Sequence, residues 1–386
     1  LAPIFGGYIA DRWIGARYLI PLGLFIMAIG YWIGSNATGL GAVSAMVCLV
    51  SIGTAFFKGN ISAVNGQLFD DPKRLDPAFS IQYTFVNIGS FFGTTILGYA
   101  LENTFAHDGV LGFSQTFLCA AILCAIGGVW FIIAWRFLGN IGKRPFKEGI
   151  VEEKQEKVTE PLTKIEWKRI WAIILVSLFS VIFWLFWYLT YLAVYDYGGK
   201  YVNWNVGGFT VPIGWFDSLN ALCCIVLGPV LAAIWGKLAK RPQGDLSMFK
   251  KTALGLALLG VAFFMLVFGE LTRGVGSPDT VKASLIWIVL FGVALSLGEM
   301  CFSPLGNSFV SKFAPKKILA VLMGVWTFAT FIAGLTYGHV YAWLNSKFSF
   351  MTIYIAIPII LFICGAILFA ADKKLSKLVV EDDENK

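Results

Sequence analysis

The sequence predicts an all-α integral membrane protein, and two observations carry that prediction. Of its 386 residues, 58% are hydrophobic and 14% are charged, and the mean hydropathy of +0.74 is too high for a soluble domain of this length. Continuous apolar stretches of about 18 residues or more, the length that a helix needs to cross the hydrocarbon core, recur along the whole chain. A membrane β-barrel would instead show short strands of alternating hydrophobicity.

Ten of these stretches are expected to be complete transmembrane helices. They cover roughly residues 18–36, 40–68, 81–102, 113–138, 170–196, 214–236, 249–271, 283–311, 319–343 and 351–371. The first residues, LAPIFGGYIA, resemble the end of one more helix, so the sequence is expected to be truncated at its N-terminus.

The distribution of basic residues predicts the orientation. Most of the 30 Lys and Arg residues lie in the loops that follow every second span and in the tail, whereas the opposite loops contain Lys200, Arg273, Lys282 and Lys347. Because cytoplasmic loops carry the excess of basic residues, the linker and the C-terminus are predicted to be cytoplasmic, in a multi-pass protein of a bacterial plasma (inner) membrane. The net charge of +7 is then explained by topology and anionic lipid headgroups, without any nucleic acid partner.

A single long polar segment, residues 139–169, divides the chain into two hydrophobic halves. Residues 1–138 are expected to form an N-terminal helix bundle that lacks its first helix and most of its second. Residues 170–371 are expected to form a six-helix bundle, and residues 372–386 a charged, disordered tail. Two six-helix bundles, twelve spans in all, are the architecture of the major facilitator superfamily, whose substrate sites lie between the halves.

The segment GGYIADRWIGAR, residues 6–17, resembles the loop between the second and third helices of that superfamily. The residues that carry this resemblance are Gly7, Asp11, Arg12, Gly15 and Arg17. Glycines allow a tight turn, Asp11 is expected to meet a helix N-terminus, and Arg12 or Arg17 to meet a carboxylate of a neighbouring helix. An ordinary cytoplasmic loop with positive charges is the alternative.

Two ionisable residues lie well inside predicted spans, Lys58 in FFKGNIS and Glu299 in GEMCFS. A charge in hydrocarbon is costly, so such residues normally face a water-filled cavity or a partner. Because they are opposite in sign and lie one in each half, Lys58 and Glu299 are predicted to pair in one state and separate in another, which would couple a proton or a charged substrate to a rocking motion. A static ion pair that holds the bundle together is the alternative.

Other charged and reactive residues are interpreted as structural. Glu102, Asp196, Asp217 and Glu270 lie nearer the helix ends, where their side chains reach interfacial water. The seven cysteines lie within spans, and their spacing is not that of metal ligands. No metal and no cofactor are expected.

Further polar and aromatic side chains are candidates for one binding cavity. Tyr83 and Asn87, and likewise Glu299 and Ser303, are four residues apart and share a helix face, and Pro304 is expected to break its helix. The remaining candidates are Trp184, Trp187, Tyr188, Asn220 and Trp326. A cation, an anion, amides and hydroxyls around one cavity would suit a short zwitterion with a peptide backbone, although aromatic residues in membrane proteins are also common packing residues.

Several motifs, taken in order, resemble those of the proton-dependent oligopeptide transporter family. FFKGNIS resembles its FKPNIS segment with Gly59 in place of proline, FSIQYTFVNIGS its FYxxIN-GS signature, and WFDSLNA its WFQSLNP. GEMCFSPLGNSFVSKFAP resembles its GELxxSPxGLSxVTKLAP. The similarity extends through the whole chain.

The resemblance implies a monomeric secondary active transporter that imports di- and tripeptides with protons by alternating access. Lys58 and Glu299 would form the gating and coupling pair, Asn87 and Asn220 would contact the peptide, and a third set would line the pocket: Ser303, Trp184 and Trp326. The family's first-helix ExxER motif would lie upstream of this chain. No HExxH, GxSxG or paired catalytic Asp motif in the spans indicates an enzyme.

One departure keeps other functions open. In VIFWLFWYLTYLAV, Tyr188 stands where the family carries an acidic residue, and a tyrosine carries no carboxylate charge at neutral pH. An uncoupled peptide facilitator or a sensor is therefore an alternative to a coupled importer. A proton-coupled exporter of drugs or organic cations is another, although an in-span lysine opposite a glutamate favours a zwitterionic or anionic substrate.

Overall fold

The computed structural model describes residues 6, 9–10, 13–68, 72–143, 162–315 and 319–379. The chain divides into two compact units, Leu1–Lys157 and Val158–Lys386. Each unit is mainly helical, and each is described by itself.

Four long helices make up the described part of the first unit. They are α1 (Ala16–Ser35), α2 (Leu40–Gln67), α3 (Pro72–Tyr99) and α4 (Phe113–Ala134). A π-helical turn, Ala100–Thr104, continues α3, and a 3-10 turn, Trp135–Phe137, continues α4.

The packing of the first unit is organised around α1, which lies against both α2 and α4. At the crossing with α2, a Cβ built on Gly23 would lie 2.5 Å from the carbonyl oxygen of Gly53, and a Cβ built on Gly53 would lie 2.5 Å from that of Gly23. Lipid tails are as apolar as leucine, so membrane helices associate through close backbone packing at small residues of this kind. These two glycines therefore set the distance between α1 and α2.

The second unit contains six long helices in its described part. They are α5 (Lys164–Leu192), α6 (Trp215–Ala239), α7 (Met248–Arg273), α8 (Ile286–Phe313), α9 (Leu319–Lys347) and α10 (Phe350–Val379). A π-helical segment, Ala193–Gly198, and a single turn, Gly199–Tyr201, extend α5. Short strands follow: Val202–Asn203 pairs in parallel with Ala283–Ser284, and Asn205–Val206 pairs antiparallel with Phe209–Thr210.

The core of the second unit forms around α7, which packs against α8 and α10, while α5 packs against α9 and α6 against α8. The largest fully buried side chains include Phe183, Phe249, Phe263 and Phe291, which come from α5, α7 and α8. Aromatic side chains of this size bury large areas and prefer edge-to-face contacts, as Phe263 and Phe291 show with ring planes at 73°. The positions of α5, α7 and α8 are therefore fixed by a continuous apolar core.

Local signals place two helix ends away from the sequence-based boundaries. Helix α5 begins at Lys164, inside the predicted linker, because Thr163 and Glu166 form a capping box in which the backbone N–H of Thr163 donates to Glu166 at 2.8 Å. Helix α10 continues to Val379, so the first part of the predicted disordered tail is helical. There, Asp372 forms an ion pair of 3.1 Å with Lys250 of α7.

The expected break at Pro304 is wrong, because the backbone stays helical from Ile286 to Phe313. Membrane helices tolerate proline where neighbouring groups satisfy the freed carbonyls.

The expected all-α membrane fold is confirmed. Each of the ten predicted spans coincides with one of the helices α1 to α10. Within the described residues, eight helices are long and apolar enough to cross a membrane, and Ile286–Cys301 of α8 is a shorter apolar segment.

The Gly23–Gly53 crossing predicts an effect of adding one methyl group. Gly53→Ala places a Cβ against backbone, which cannot swing aside, so we expect a loss of stability of about 1–3 kcal/mol, typical of overpacking. The measurement is the thermal unfolding midpoint of the purified protein in lipid nanodiscs. Gly93→Ala on α3 is the control, because nothing lies within 4 Å of a Cβ built there. Equal midpoints for the two variants would contradict the role of the crossing.

Candidate functional site

The candidate site is built around the carboxylate of Glu299, which lies on α8 and is only 8% exposed. The indole Nε1 of Trp187 on α5 donates to its Oε2 at 3.1 Å, and Nδ2 of Asn220 on α6 donates to the same oxygen at 3.0 Å. Burying a carboxylate without hydrogen-bond donors costs much free energy, and these two hydrogen bonds offset that cost. One acidic side chain thus joins three helices.

A serine one turn away completes this arrangement. Asn220 Nδ2 also donates to Oγ of Ser296 at 3.0 Å, and that hydroxyl donates in turn to the carbonyl of Gly292 at 2.8 Å. Because an amide nitrogen has two hydrogens, Asn220 can serve both Ser296 and Glu299. The orientation of the amide is fixed by two acceptors.

Aromatic rings surround the same region of α5. The ring of Trp187 lies edge-to-face with those of Trp184, Tyr188 and Tyr191, with centroids 5.5, 5.4 and 5.3 Å apart. Tyr188 also lies 5.5 Å from Tyr337 of α9. Edge-to-face packing of this kind stabilises a rigid wall beside the carboxylate. Tyr188, at the position where the resembling family carries an acid, is therefore part of this wall.

The candidates of the first unit lie on α2 and α3. Lys58 is exposed, whereas Asn60, two residues later, is 1% exposed and donates to the carbonyl of Phe56 at 2.8 Å. On α3, Nδ2 of Asn87 donates to the carbonyl of Tyr83 at 2.9 Å, which confirms their shared helix face. An exposed lysine in a span requires water or a polar partner beside it.

Two other candidates lie away from Glu299 or outside the described side chains. Trp326 of α9 is 7% exposed and packs so closely on α8 that a Cβ built on Gly306 would lie 1.8 Å from its Cζ2. Gly306 is two helical turns beyond Glu299, roughly 10 Å along the axis. Trp326 is therefore buried against α8 at that level. The side chain of Ser303 lies outside the described residues.

In the predicted cytoplasmic loop, Arg17 takes a different partner from the expected one. Its side chain is 3% exposed and donates to the carbonyls of Gly139, at 3.0 Å, and Trp135. The positive group thus lies at the C-terminal end of α4 and its 3-10 turn, where a cation complements the helix dipole. The expected carboxylate partner is wrong for Arg17. Gly7, Asp11 and Arg12 lie outside the described residues.

Gly15 has a steric reason to be glycine. A Cβ built there would lie 2.3 Å from the carbonyl oxygen of Gly142 and 2.4 Å from that of Lys143. The start of the linker therefore lies directly on this loop.

The acidic residues near helix ends differ in their partners. Glu270 forms a buried bidentate ion pair with Arg273, at 2.7 and 2.8 Å, and accepts a hydrogen bond of 2.6 Å from Tyr197. Asp196 pairs with Lys200 at 2.8 Å. Both are thus held by a cation, but Glu270 is 5% exposed and does not reach interfacial water as expected from the sequence. Asp217 instead accepts a hydrogen bond of 3.1 Å from the hydroxyl of Tyr195.

Three residues of the site were not among the sequence-based candidates: Tyr191, Ser296 and Tyr337. Helical spacing was the available signal for two of them, because Tyr191 is four residues after Trp187 and Ser296 is three before Glu299. Among the described residues, no group of three His, Cys, Asp or Glu side chains is placed to hold a metal ion.

Comparison with known proteins indicates one family. A family model described as the POT family matches residues 17–159 and 146–355. The chain is 26% identical to a di-/tripeptide transporter of Lactococcus lactis subsp. cremoris, over 98% of this chain and 84% of the relative. It is 27% identical to dipeptide and tripeptide permease A of Escherichia coli strain K12, over 87% of this chain and 72% of the relative.

The fold has also been seen in crystal structures. A mutant of peptide transporter POT in complex with alafosfalin aligns with a TM-score of 0.84 and 24% identity, over 98% of this chain and 84% of that one. The major facilitator fold expected from the sequence is thereby confirmed.

The hydrogen bonds to Glu299 predict the effect of removing one donor. Trp187→Phe keeps an aromatic ring but deletes the Nε1–H group, so we expect a loss of stability of about 1–3 kcal/mol from the carboxylate left with fewer partners. The unfolding midpoint in nanodiscs measures it. Trp184→Phe is the matched control, since it makes the same change on the same helix without touching Glu299. A smaller effect for Trp187→Phe than for Trp184→Phe would show that the bond does not hold the site.

Proposed function

Because the chain belongs to the POT family, we propose that it is a secondary active transporter that imports di- and tripeptides together with protons by alternating access. The observation that carries the proposal is the Glu299 carboxylate, held within the membrane part of the protein by Trp187 and Asn220. A functional group that costs so much to bury marks a substrate or ion pathway. The di-/tripeptide transporter of Lactococcus lactis and the permease of Escherichia coli support peptides as the substrate class.

Each end of a short peptide has a chemical counterpart in the proposed site. The anionic Glu299 suits the N-terminal ammonium group, and the cationic Lys58 suits the C-terminal carboxylate. Amides of Asn87 and Asn220 and the hydroxyls of Tyr83 and Ser303 would bind the peptide backbone, which offers both donors and acceptors. This part of the proposal concerns main-chain groups that all peptides share.

The aromatic wall suits the variable part of a peptide. Trp184, Trp187 and Tyr188 present ring faces and edges that accept apolar, aromatic and cationic side chains. Trp326 would support this wall from the core. A transporter for many dipeptides needs tolerance of this kind, because tight complementarity to one side chain would exclude the others.

Coupling to protons is assigned to Lys58 and Glu299. In this proposal each charge is stabilised by the other or by the substrate, so that binding a peptide or a proton changes which conformation is favoured. The tyrosine at position 188 removes one acidic group from the coupling machinery of the resembling family, and this favours an uncoupled peptide facilitator as the second candidate. The relatives named above give no support to drug export.

The proposed location is the plasma membrane of a bacterium, with the linker and the C-terminus in the cytoplasm and the protein acting as a monomer. The basic loops support this orientation, because positively charged loops stay on the cytoplasmic side. Lipid headgroups would be the partners of those loops.

The experiment that tests the proposal is uptake of a labelled dipeptide into proteoliposomes under an inward proton gradient, beside counterflow without a gradient. For the unmodified protein we expect accumulation above equilibrium. Lys58→Ala and Glu299→Gln are each expected to abolish gradient-driven accumulation while retaining part of the counterflow, because they remove the charges that link proton to peptide.

Two charge-removing controls lie outside the proposed site: Lys347→Ala in the last turn of α9 and Asp279→Asn in an exposed loop. Both are expected to accumulate dipeptide like the unmodified protein. Counterflow without accumulation by the unmodified protein would establish the uncoupled facilitator instead. Absence of both activities would refute peptide transport.

A further inference from the structure

A second acidic residue of the second unit, Asp217, lies on α6, the helix from which Asn220 donates to Glu299. It lies in the first turn of α6, three residues before Asn220, so the two side chains project from one face of the helix. The rise between them is roughly 4.5 Å. Because Asn220 donates directly to Glu299, Asp217 stands about one helical turn from the site carboxylate along α6.

Tyrosines of α5 line the interval between the two acids. Tyr191 lies four residues after Trp187, which donates to Glu299, and four residues before Tyr195, and its ring centroid is 5.3 Å from that of Trp187. Tyr195, four residues later, donates its hydroxyl to Oδ2 of Asp217 at 3.1 Å. Glu299, Tyr191, Asp217 and Tyr195 thus form a row of groups that carry exchangeable protons, which we call the tyrosine track.

The partners of Asp217 differ from those of the other acids near helix ends. Asp196 and Glu270 are each paired with a cation, Lys200 and Arg273. In the part of the chain that the structure describes, the groups facing Asp217 that can titrate are Tyr191 and Tyr195 from α5, and Glu299 of α8 lies beyond Asn220. A carboxylate held by a cation keeps its charge, whereas one held by hydroxyl groups takes up and releases a proton without breaking an ion pair.

The sequence supports a functional role for this position. WFDSLNA carries Asp217 where the resembling family motif WFQSLNP has a glutamine, and the same chain carries Tyr188 where that family has an acid. Relative to those motifs, this chain lacks a carboxyl group at position 188 on α5 and has an additional one at position 217 on α6. Tyr191 lies on α5 between the residues that contact Glu299 and Asp217.

We propose that Asp217 is the second proton-carrying carboxyl of this transporter and exchanges protons with Glu299 through the tyrosine track. In the transfer, the Asp217 carboxylate takes up a proton from water, and its carboxylic acid form then donates that proton to the hydroxyl oxygen of Tyr191. Tyr191 passes its own hydroxyl proton to the Glu299 carboxylate, so the tyrosine ends neutral and one proton has moved. This inference rests on the proposed function, since it names the residues through which protons would be coupled.

The test compares two substitutions at one position in the full chain. Asp217→Asn removes the titratable group but keeps a side chain that accepts hydrogen bonds and is tolerated at a helix N-terminus, and Asp217→Glu keeps the carboxyl. Asp196→Asn is the matched control, because it removes an ion-paired carboxylate next to the same segment of α5. Each variant is reconstituted in liposomes that contain a pH-sensitive dye, and both labelled-dipeptide uptake and the accompanying acidification are measured.

The expected result is loss of gradient-driven accumulation and of dipeptide-dependent acidification in Asp217→Asn, with counterflow retained. Asp217→Glu is expected to restore both, and Asp196→Asn to retain both. A purely structural role for Asp217 would instead lower accumulation and counterflow together in the asparagine variant. That outcome would overturn the inference.

The remaining outcomes separate this inference from the proposed function. If Asp217→Asn accumulates dipeptide and acidifies the lumen like the unmodified protein, Asp217 carries no coupled proton, while proton-coupled transport itself stands. If the unmodified protein shows counterflow but neither accumulation nor acidification, proton coupling and this inference fail together. The substitution Tyr191→Phe adds a second test. It is expected to lower the rate of dipeptide-dependent acidification, and an unchanged rate would show that Tyr191 does not carry the proton.

Discussion

The second unit depends on one constraint, which is that hydrocarbon supplies no hydrogen-bond partners. A carboxylate such as Glu299 must therefore find its donors within the protein, and it finds them on two other helices. Trp187 and Asn220 can serve it only if α5, α6 and α8 meet at that level. The apolar core brings the helices together, but the carboxylate selects one register among those that an apolar core would tolerate equally well.

The same constraint is met differently near the ends of the helices. Glu270 and Arg273 satisfy each other, and the guanidinium group also donates to the carbonyl of Ser277 at 3.0 Å, so the turn after α7 is fixed by charged groups. Arg17 donates to the carbonyl of Gly139, in the turn that follows α4, in the first unit. Such sites are fully compensated and have little reason to change during a transport cycle. Glu299, by contrast, is held by neutral donors, and under the proposed function a substrate ammonium or a proton would compete for it.

Sequence reasoning was most successful where composition alone decides the outcome. Hydropathy predicted all ten helices, and the rarity of charge in a span identified Glu299. It was least successful where a residue depends on a distant partner. The carbonyls that bind Arg17 and the hydroxyl of Ser296 that shares Asn220 both come from distant parts of the chain. A short-range signal was present at the start of α5. The spacing of Thr163 and Glu166 is that of a capping box, and it starts the helix within the polar linker.

Position 188 shows why a single substitution does not define the chemistry of a site. In isolation, a tyrosine in place of an acid suggests that coupling is lost, because the hydroxyl carries no charge at neutral pH. In the structure, Tyr188 packs edge-to-face on Trp187 and at a tilt on Tyr337, and so contributes to the wall beside Glu299 without adding a second negative charge next to it. A carboxylate at position 188, next to that of Glu299, would disfavour the ionisation of both groups. Asp217 on α6 and Glu299 on α8 are instead separated, with tyrosine hydroxyl groups between them, which avoids that repulsion. The tyrosine at position 188 and the aspartate at position 217 are therefore compatible parts of one arrangement.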